Sequence, residues 1–417
     1  VLKNSKLLNQ LNEQQKLAVL QKCRPLLILA GAGTGKTRVI TIKIAYLLLR
    51  ENIPAESILA VTFTNKAAEE MRNRLLSLTE KASNVMIRTF HSFGAWLLRR
   101  FAGYLNLNPH FTIYDDADML MLLKKIGQEE ENTIISRENL KRYCKLIKKA
   151  KEKGLLPEDN LNSVALDHDF AEVYENYQVR LNKIGNVDLP DLILLSTILL
   201  KKNPEIKRKV QKQFQYILVD EYQDSNLAQI KMLKELYGDE SYICVVGDED
   251  QSIYGFRGAE IDNILSFPDH FANTEIIRLE KNYRSSKNIL SAANAVIACN
   301  HNRIGKNLWT SNVQGPKIKI AYLPNETEEA KYCANILSDS QFSNTAILYR
   351  NNYQSRSFET LFMKHNIPYR IIGTVRFYER EEIKDALSYL SLLLNNHDIV
   401  SFSRCINKPG RGIGKKS

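Results

Sequence analysis

No two cysteines in this sequence stand at the spacing of a metal-ligand pair. The six thiols, Cys23, Cys144, Cys244, Cys299, Cys333 and Cys405, are scattered, without a CxxC pair or a His-Cys cluster. That argues against a zinc site and for reduced thiols in a cytoplasmic protein. A run of about 18 apolar residues is also lacking, as is a leader of the secretory or transit kind. Neither secretion nor membrane insertion is therefore supported. The chain opens on Val1 rather than Met, as expected if a terminus was trimmed or left out. Acid is in deficit: 47 Asp and Glu stand against 58 Lys and Arg, a net charge of +11. Such an excess attracts polyanions, nucleic acid first, with a merely solubilising surface as the alternative.

At 417 residues the chain exceeds one typical core, and about two to four domains are expected. Its 44% hydrophobic and 25% charged residues are ordinary for a globular protein. The organising stretch is Leu26 to Thr37, an apolar run that breaks into Ala30-Gly31-Ala32-Gly33-Thr34-Gly35-Lys36-Thr37. Leu26 to Ala30 reads as a strand buried on both faces and Val39 to Leu49 as an apolar helix. A glycine-rich loop at such a handover is a phosphate-binding loop. Its N–H groups converge on phosphate oxygens, Lys36 reaches the β- and γ-phosphates, and the Thr37 hydroxyl suits Mg²⁺. Ala30 stands where the motif usually has its first glycine, and still leaves room. The competing reading, an ordinary glycine turn, does not explain the Gly-Lys-Thr ending.

Upstream, Asn12 reads as the N-cap of a helix with Leu11, Gln15 and Ala18 along one side, and the Gln15 amide can meet an adenine edge. Downstream, strand candidates Ser57 to Phe63 and Val85 to Thr89 each lead into a helix, the first through Thr64 and Asn65. Alternating strands and helices imply α/β architecture with a parallel sheet and ligand sites beyond the strands' carboxyl ends. Phe63, Thr64, Asn65, Thr89 and His91 stand at that edge, and His91 is given no acid-base role. From about Phe111 to Asn186 helical patterns replace strands. Within them, Lys141 to Lys153 holds seven basic residues against one acid. It reads either as a basic arm near nucleic acid or as a solvated helix face.

The sheet resumes at Tyr216 to Val219 and runs into Asp220 and Glu221, carboxylates suited respectively to a Mg²⁺ shell and to a base orienting water. A further strand, Tyr242 to Gly247, precedes Gln251, which can sense a γ-phosphate, and Tyr254, Phe256 and Arg257, which can stack on or grip single-stranded bases and phosphates. Loop packing is the alternative for those aromatics. After a sixth strand, Glu275 to Leu279, a second α/β pattern is expected, with strands at Ile318 to Tyr322, Thr345 to Tyr349 and Tyr369 to Ile372.

Taken together, these residues resemble the superfamily 1 DNA helicases of the UvrD/Rep/PcrA group. The resemblance rests on Gln15, the loop at 30 to 38, Val-Thr-Phe-Thr-Asn-Lys-Ala-Ala at 61 to 68, and Thr-Phe-His-Ser-Phe at 89 to 93. It continues in Val-Asp-Glu-Tyr-Gln-Asp at 219 to 224, Val-Gly-Asp-Glu-Asp-Gln-Ser-Ile-Tyr-Gly-Phe-Arg-Gly-Ala at 246 to 259, and Asn-Tyr-Arg-Ser-Ser at 282 to 286. Ala-Ile-Leu-Tyr-Arg at 346 to 350 and Glu-Ile-Lys-Asp at 382 to 385 complete it.

The resemblance implies a RecA-like first domain at 1–112 and 187–278, split by a helical insertion at 113–186. An incomplete second RecA-like domain at 279–373 and the start of a second insertion at 374–417 would follow. It implies ATP and Mg²⁺ as cofactors, with Lys36, Asp220, Glu221, Gln251 and Arg284 catalytic. Ala30 to Arg38, Gln15 and Tyr283 would bind ATP, and Thr37 and Asp220 the metal. Phe63, Thr64, Asn65, Thr89, His91, Tyr254, Phe256 and Arg257 would line the path of single-stranded DNA. In such enzymes the two motor domains close on ATP and ratchet along one strand in the 3′ to 5′ direction, unwinding duplex DNA in replication or repair. Loading factors and a monomeric or dimeric state would be in keeping with that group.

Three departures stand out. Phe256 replaces a frequent tryptophan. Asp188-Leu189-Pro190-Asp191-Leu192 replaces the usual Asp-Phe-Asp-Asp-Leu. The late Thr-x-His-x-x-Lys-Gly-Leu-Glu and arginine-bearing segments are not in these 417 residues, so weak hydrolysis and unwinding are expected of this portion. The helicase subunit of a recombination helicase-nuclease, or an ATP- and DNA-binding module without unwinding, are the alternatives.

Overall fold

The computed structural model describes residues 7–129, 139–253, 262–300, 303–337, 342–372, 381–395 and 398–413. Tyr254, Phe256 and Arg257, and the expected beginning of the second insertion at 374–380, lie outside them. Two compact units emerge, one of residues up to 316 with 394–400, the other of 317–393 and 401 onward.

The first unit is built on six parallel strands: β1 (Leu26–Ala30), β2 (Ile58–Thr62), β3 (Met86–Thr89), β6 (Tyr216–Val219), β7 (Tyr242–Gly247) and β8 (Glu275–Leu279). Their order across the sheet is β3-β2-β6-β7-β1-β8. A second, two-stranded parallel pair joins β4 (Ile113–Tyr114) to β5 (Val187–Asp188). Every residue of β1, β2 and β7 is buried, as continuous apolar runs require when helices cover both faces. Edge strand β8 instead exposes Glu275 and Arg278. The α/β class with a parallel sheet is thus realised, and all six expected strands of this unit form.

Helices α1 (Glu13–Leu20), α2 (Lys36–Leu49) and α3 (Asn65–Leu78) cover one face, where Ala18, Val39, Ile44 and Met71 share a core with Ile28 and Ala60. On the other face α4 (Phe90–Arg100) packs with the later helices of the unit around Phe93, Leu97, Leu199, Phe214 and Leu233. Between the strands, α5 (Asp116–Glu129), α6 (Leu140–Glu152) and α7 (His168–Ile184) enclose a separate core that includes Tyr143, Ile147, Phe170 and Tyr174. The register fixes what matters for function. Val61 pairs with Val219, Val219 with Val245, Leu29 with Gly247, and Ala30 with Leu279. The phosphate loop and the segments after β2, β6, β7 and β8 therefore leave the sheet along one edge.

In the second unit, α-helices Glu326–Leu337 and Ser355–Lys364 share a small core of Ala330, Ala334, Leu337, Phe358 and Phe362. The three strands expected at 318–322, 345–349 and 369–372 do not form: those residues make no ladder, and Ile320, Leu348 and Ile372 are 77%, 94% and 80% exposed. Apolar alternation alone does not make a parallel strand, which needs hydrogen-bonded neighbours and cover on both faces.

Candidate nucleotide-binding site

The phosphate loop takes the shape its glycines permit. Gly33 and Gly35 have φ of 71° and 90°, and Gly35 is the N-cap of α2, a left-handed conformation that a β-carbon would strain. A β-carbon on Gly33 would also come within 2.6 Å of Asn282 Nδ2. The loop leans on the segment after β8: Asn282 Nδ2 donates to the Ala32 carbonyl at 2.6 Å and the Tyr283 N–H to the Gly33 carbonyl at 2.9 Å. Asn282 Oδ1 accepts from the Arg284 and Ser285 N–H groups, both at 2.8 Å, so the same side chain shapes the backbone that carries Arg284.

Lys36 is buried, with Nζ 3.2 Å from Glu221 Oε2. Asp220 prolongs β6, its N–H bonded to the Val61 carbonyl at 2.9 Å. Its carboxylate accepts from the Glu221 N–H at 3.0 Å, and the neighbouring Thr37 hydroxyl favours its charged form. Desolvation raises the Asp220 carboxyl to about 7, with the Glu221 charge adding to the rise and Lys36 opposing it. Glu221 itself has φ of 51°, an uncommon, strained conformation for a residue with a β-carbon. Thr37 and Asp220 present a hydroxyl and a carboxylate side by side, the hard oxygen donors that Mg²⁺ takes.

Gln223, which reasoning from the sequence passed over, ties this cluster to the next strand. Its Nε2 donates to Glu221 at 2.8 Å and its Oε1 accepts the Asp248 N–H at 2.9 Å. A glutamine following Asp-Glu, able both to donate and to accept, was the available signal. Gln251 donates to the Asp248 carboxylate. Beneath it lies a buried ion cluster also not anticipated: Lys306 Nζ is 2.7 Å from Asp248 and 2.6 Å from Asp250, and Arg303 is 3.0 Å from Asp250.

Around the other side of the loop, Asn12 and Gln15 form the reciprocal capping box that starts α1. Gln15 Nε2 donates to the Thr34 carbonyl at 2.9 Å, Asn12 Nδ2 to the Tyr283 hydroxyl at 2.8 Å, and Arg38 to Gln10 at 2.9 Å. Gln15, Arg38 and Tyr283 are thereby gathered beside the loop.

Phe63, Thr64 and Asn65 follow β2, and Thr89 and His91 lie at the end of β3. The two threonine hydroxyls have structural duties: Thr64 caps α3, accepting from the Ala67 N–H at 3.1 Å, and Thr89 caps α4, accepting from the Ser92 N–H at 3.2 Å. Burial lowers the His91 imidazole to about 4, which keeps it neutral. Asp188 and Asp191 are wholly buried, each within 2.8 Å of Lys151 Nζ. One of the seven basic residues of the Lys141 to Lys153 stretch is therefore interior rather than solvated.

Residues 11–272 match the UvrD/REP helicase N-terminal domain, and residues 277–417 the UvrD-like helicase C-terminal domain. The chain belongs to the UvrD/Rep helicase family. It is 44% identical over 419 residues to the ATP-dependent DNA helicase PcrA of Staphylococcus epidermidis, covering 99% of this chain and 57% of that protein. To DNA helicase II of Haemophilus influenzae it is 43% identical over 428 residues, covering 99% and 58%. The Staphylococcus aureus PcrA is 42% identical over 419 residues, covering 99% and 57%. This UvrD/Rep family member thus spans a little over half the length of these curated relatives. Among the described residues, no helix is long and apolar enough to cross a membrane.

Proposed function

We propose that this chain is the ATP-binding, DNA-tracking portion of an ATP-dependent helicase that moves 3′ to 5′ on single-stranded DNA and unwinds duplexes in cytoplasmic replication or repair. The observation that carries the reading is the convergence of Lys36, Thr37, Asp220 and Glu221 at one sheet edge. The loop N–H groups and Lys36 hold the phosphates. Thr37 and Asp220 would hold Mg²⁺, which would offset phosphate charge. Glu221 accepts a proton from the attacking water on a carboxylate oxygen and is held for that task by Gln223. Gln251 and Arg284 contact the γ-phosphate, and Gln15, Arg38 and Tyr283 frame the adenine.

Phe63, Thr64, Asn65, Thr89, His91, Tyr254, Phe256 and Arg257 line the DNA path. The two expected motor domains divide near residue 279, with insertions at 113–186 and from 374. These 417 residues alone bind ATP and single-stranded DNA weakly and hydrolyse and unwind poorly, and the working protein acts as a monomer or dimer with a replication or repair loading factor.

The test is an unwinding assay on the full protein with 3′-tailed and 5′-tailed duplexes, together with DNA-stimulated ATPase. Unwinding confined to the 3′-tailed substrate, and lost with Lys36→Ala, is expected. Unwinding that prefers the 5′ tail would sink the directional reading. Full DNA-stimulated turnover by this chain alone would refute its expected weak activity.

A further inference from the structure

Lys43 lies on α2, about two turns beyond Lys36, and has no exposed surface. Burying an ammonium is costly unless it is fully partnered. Here the partners are mainly backbone: Lys43 Nζ donates to the carbonyls of Ala18 at 2.9 Å and Val19 at 3.3 Å, and to that of Gln21. These belong to the last turn and C-cap of α1, where carbonyls lack partners within the helix. That turn has no basic residue of its own, so Lys43 supplies from α2 the cation that a helix C-terminus favours. Tyr242 completes the enclosure, its ring 5.0 Å from the ammonium and its hydroxyl donating to the Gln21 carbonyl at 3.1 Å.

We propose that Lys43 is a positioning residue for nucleotide binding. Its ammonium fixes the end of the helix bearing Gln15 to the helix that opens with Lys36 and Thr37, so base recognition and phosphate grip keep one spacing. The inference rests on reading Gln15 as the base-contacting residue.

The charged and titratable groups facing Lys43 are Tyr242 and Cys244 from β7 and Glu275 from β8, while α1 offers only carbonyls. Burial raises both the Tyr242 hydroxyl and the Cys244 thiol, the latter to about 11. Glu275 reaches the cluster through Gln21, whose Nε2 it accepts at 3.1 Å. Desolvation brings Lys43 down to about 8, with Cys244 and Glu275 opposing the fall. A lysine whose pKa is depressed on folding binds its proton more weakly when folded. Raising the pH through about 8 therefore weakens the clamp without lowering global stability on this group's account.

The test compares Mg²⁺-ATP with Mg²⁺-tripolyphosphate, which lacks the base, by calorimetric titration of the chain. Lys43→Met should weaken ATP binding about tenfold and leave tripolyphosphate within about twofold, with Lys43→Arg restoring ATP. Wild-type ATP affinity should fall as pH passes about 8 while thermal stability holds, and Lys43→Arg should show no such fall. Equal losses for both ligands, or none for either, would overturn the proposal. If Lys43→Met proves unfolded, the two pH profiles decide. Gln15→Ala separates the two readings: should it spare the ATP preference that Lys43→Met abolishes, the role given to Gln15 falls. Should it abolish a preference that Lys43→Met spares, the clamp falls.

Discussion

On the proposed function, Asp220 serves chemistry at the expense of the fold. Its carboxyl is raised to about 7, chiefly by desolvation. The folded chain therefore holds that proton more tightly than the unfolded chain, whose carboxyl has the ordinary value near 3.8. The sign follows: as pH rises from about 4 to about 7 this group lowers folding stability, and above that window the penalty is complete. Asp220→Asn, measured without nucleotide, should raise the melting temperature near neutral pH. The difference from wild type should shrink towards about pH 4, where both side chains are neutral. The same variant should lose Mg²⁺-dependent ATP binding by calorimetry, a gain in stability accompanied by lost function. Thermal melts that are indistinguishable across the whole pH range would contradict this assignment.

Between elements, a buried cluster joins α6, β5 and the following helix, Asp191–Lys202. Lys151 sits between Asp188 at 2.6 Å and Asp191 at 2.8 Å, and the Tyr177 hydroxyl donates to Asp188 at 3.0 Å. The Asp191 carboxyl stands at about 6, raised first by desolvation and then by Asp188, with Lys151 opposing. Removing the cation leaves buried carboxylates facing one another, a loss of roughly 3–5 kcal/mol. Lys151→Met should therefore destabilise the chain by about that amount in urea unfolding, whereas Lys151→Met with Asp188→Asn and Asp191→Asn should recover a large part. No recovery in the triple variant would mean that packing, not charge, holds the junction. That helices fill the stretch from about 111 to 186 was legible in its pattern. This junction was not, because Lys151 is 37 residues from Asp188 and looks like its solvated neighbours.

For the molecule as a whole, charge becomes meaningful once the fold sorts it. Of the basic residues along α6, Arg142 pairs with Asp167, Lys148 with Asp116 and Lys151 with the buried aspartates. Lys141, Lys145 and Lys149 are exposed. If this face meets DNA, replacing the three by glutamate should weaken single-stranded DNA binding and lower the slope of log affinity against log salt by roughly two. Melting temperature and ATP affinity should stay near wild type. An unchanged slope would leave α6 a solvated face, the alternative that its composition allowed.

The motifs, the order of strands and helices along the first unit, and the glycine-rich loop between β1 and α2 were fixed by short-range information. A strand-to-loop-to-helix handover and runs buried on both faces are written in neighbouring residues. Asn12 as a cap and Asp220 at a strand end were readable for the same reason. Three-dimensional packing determined the rest. It brought Asn282 onto the phosphate loop, turned Gln223 into a bridge between two strand ends, and sent Lys43 and Lys151 inward to partners far along the chain. It also left the apolar segments at 318–322, 345–349 and 369–372 without a ladder. In each case the deciding quantity is which groups are withdrawn from water together. Burial and hydrogen-bond pairing between residues distant in sequence leave no local pattern, so a side chain's type records what it can do but not whom it meets.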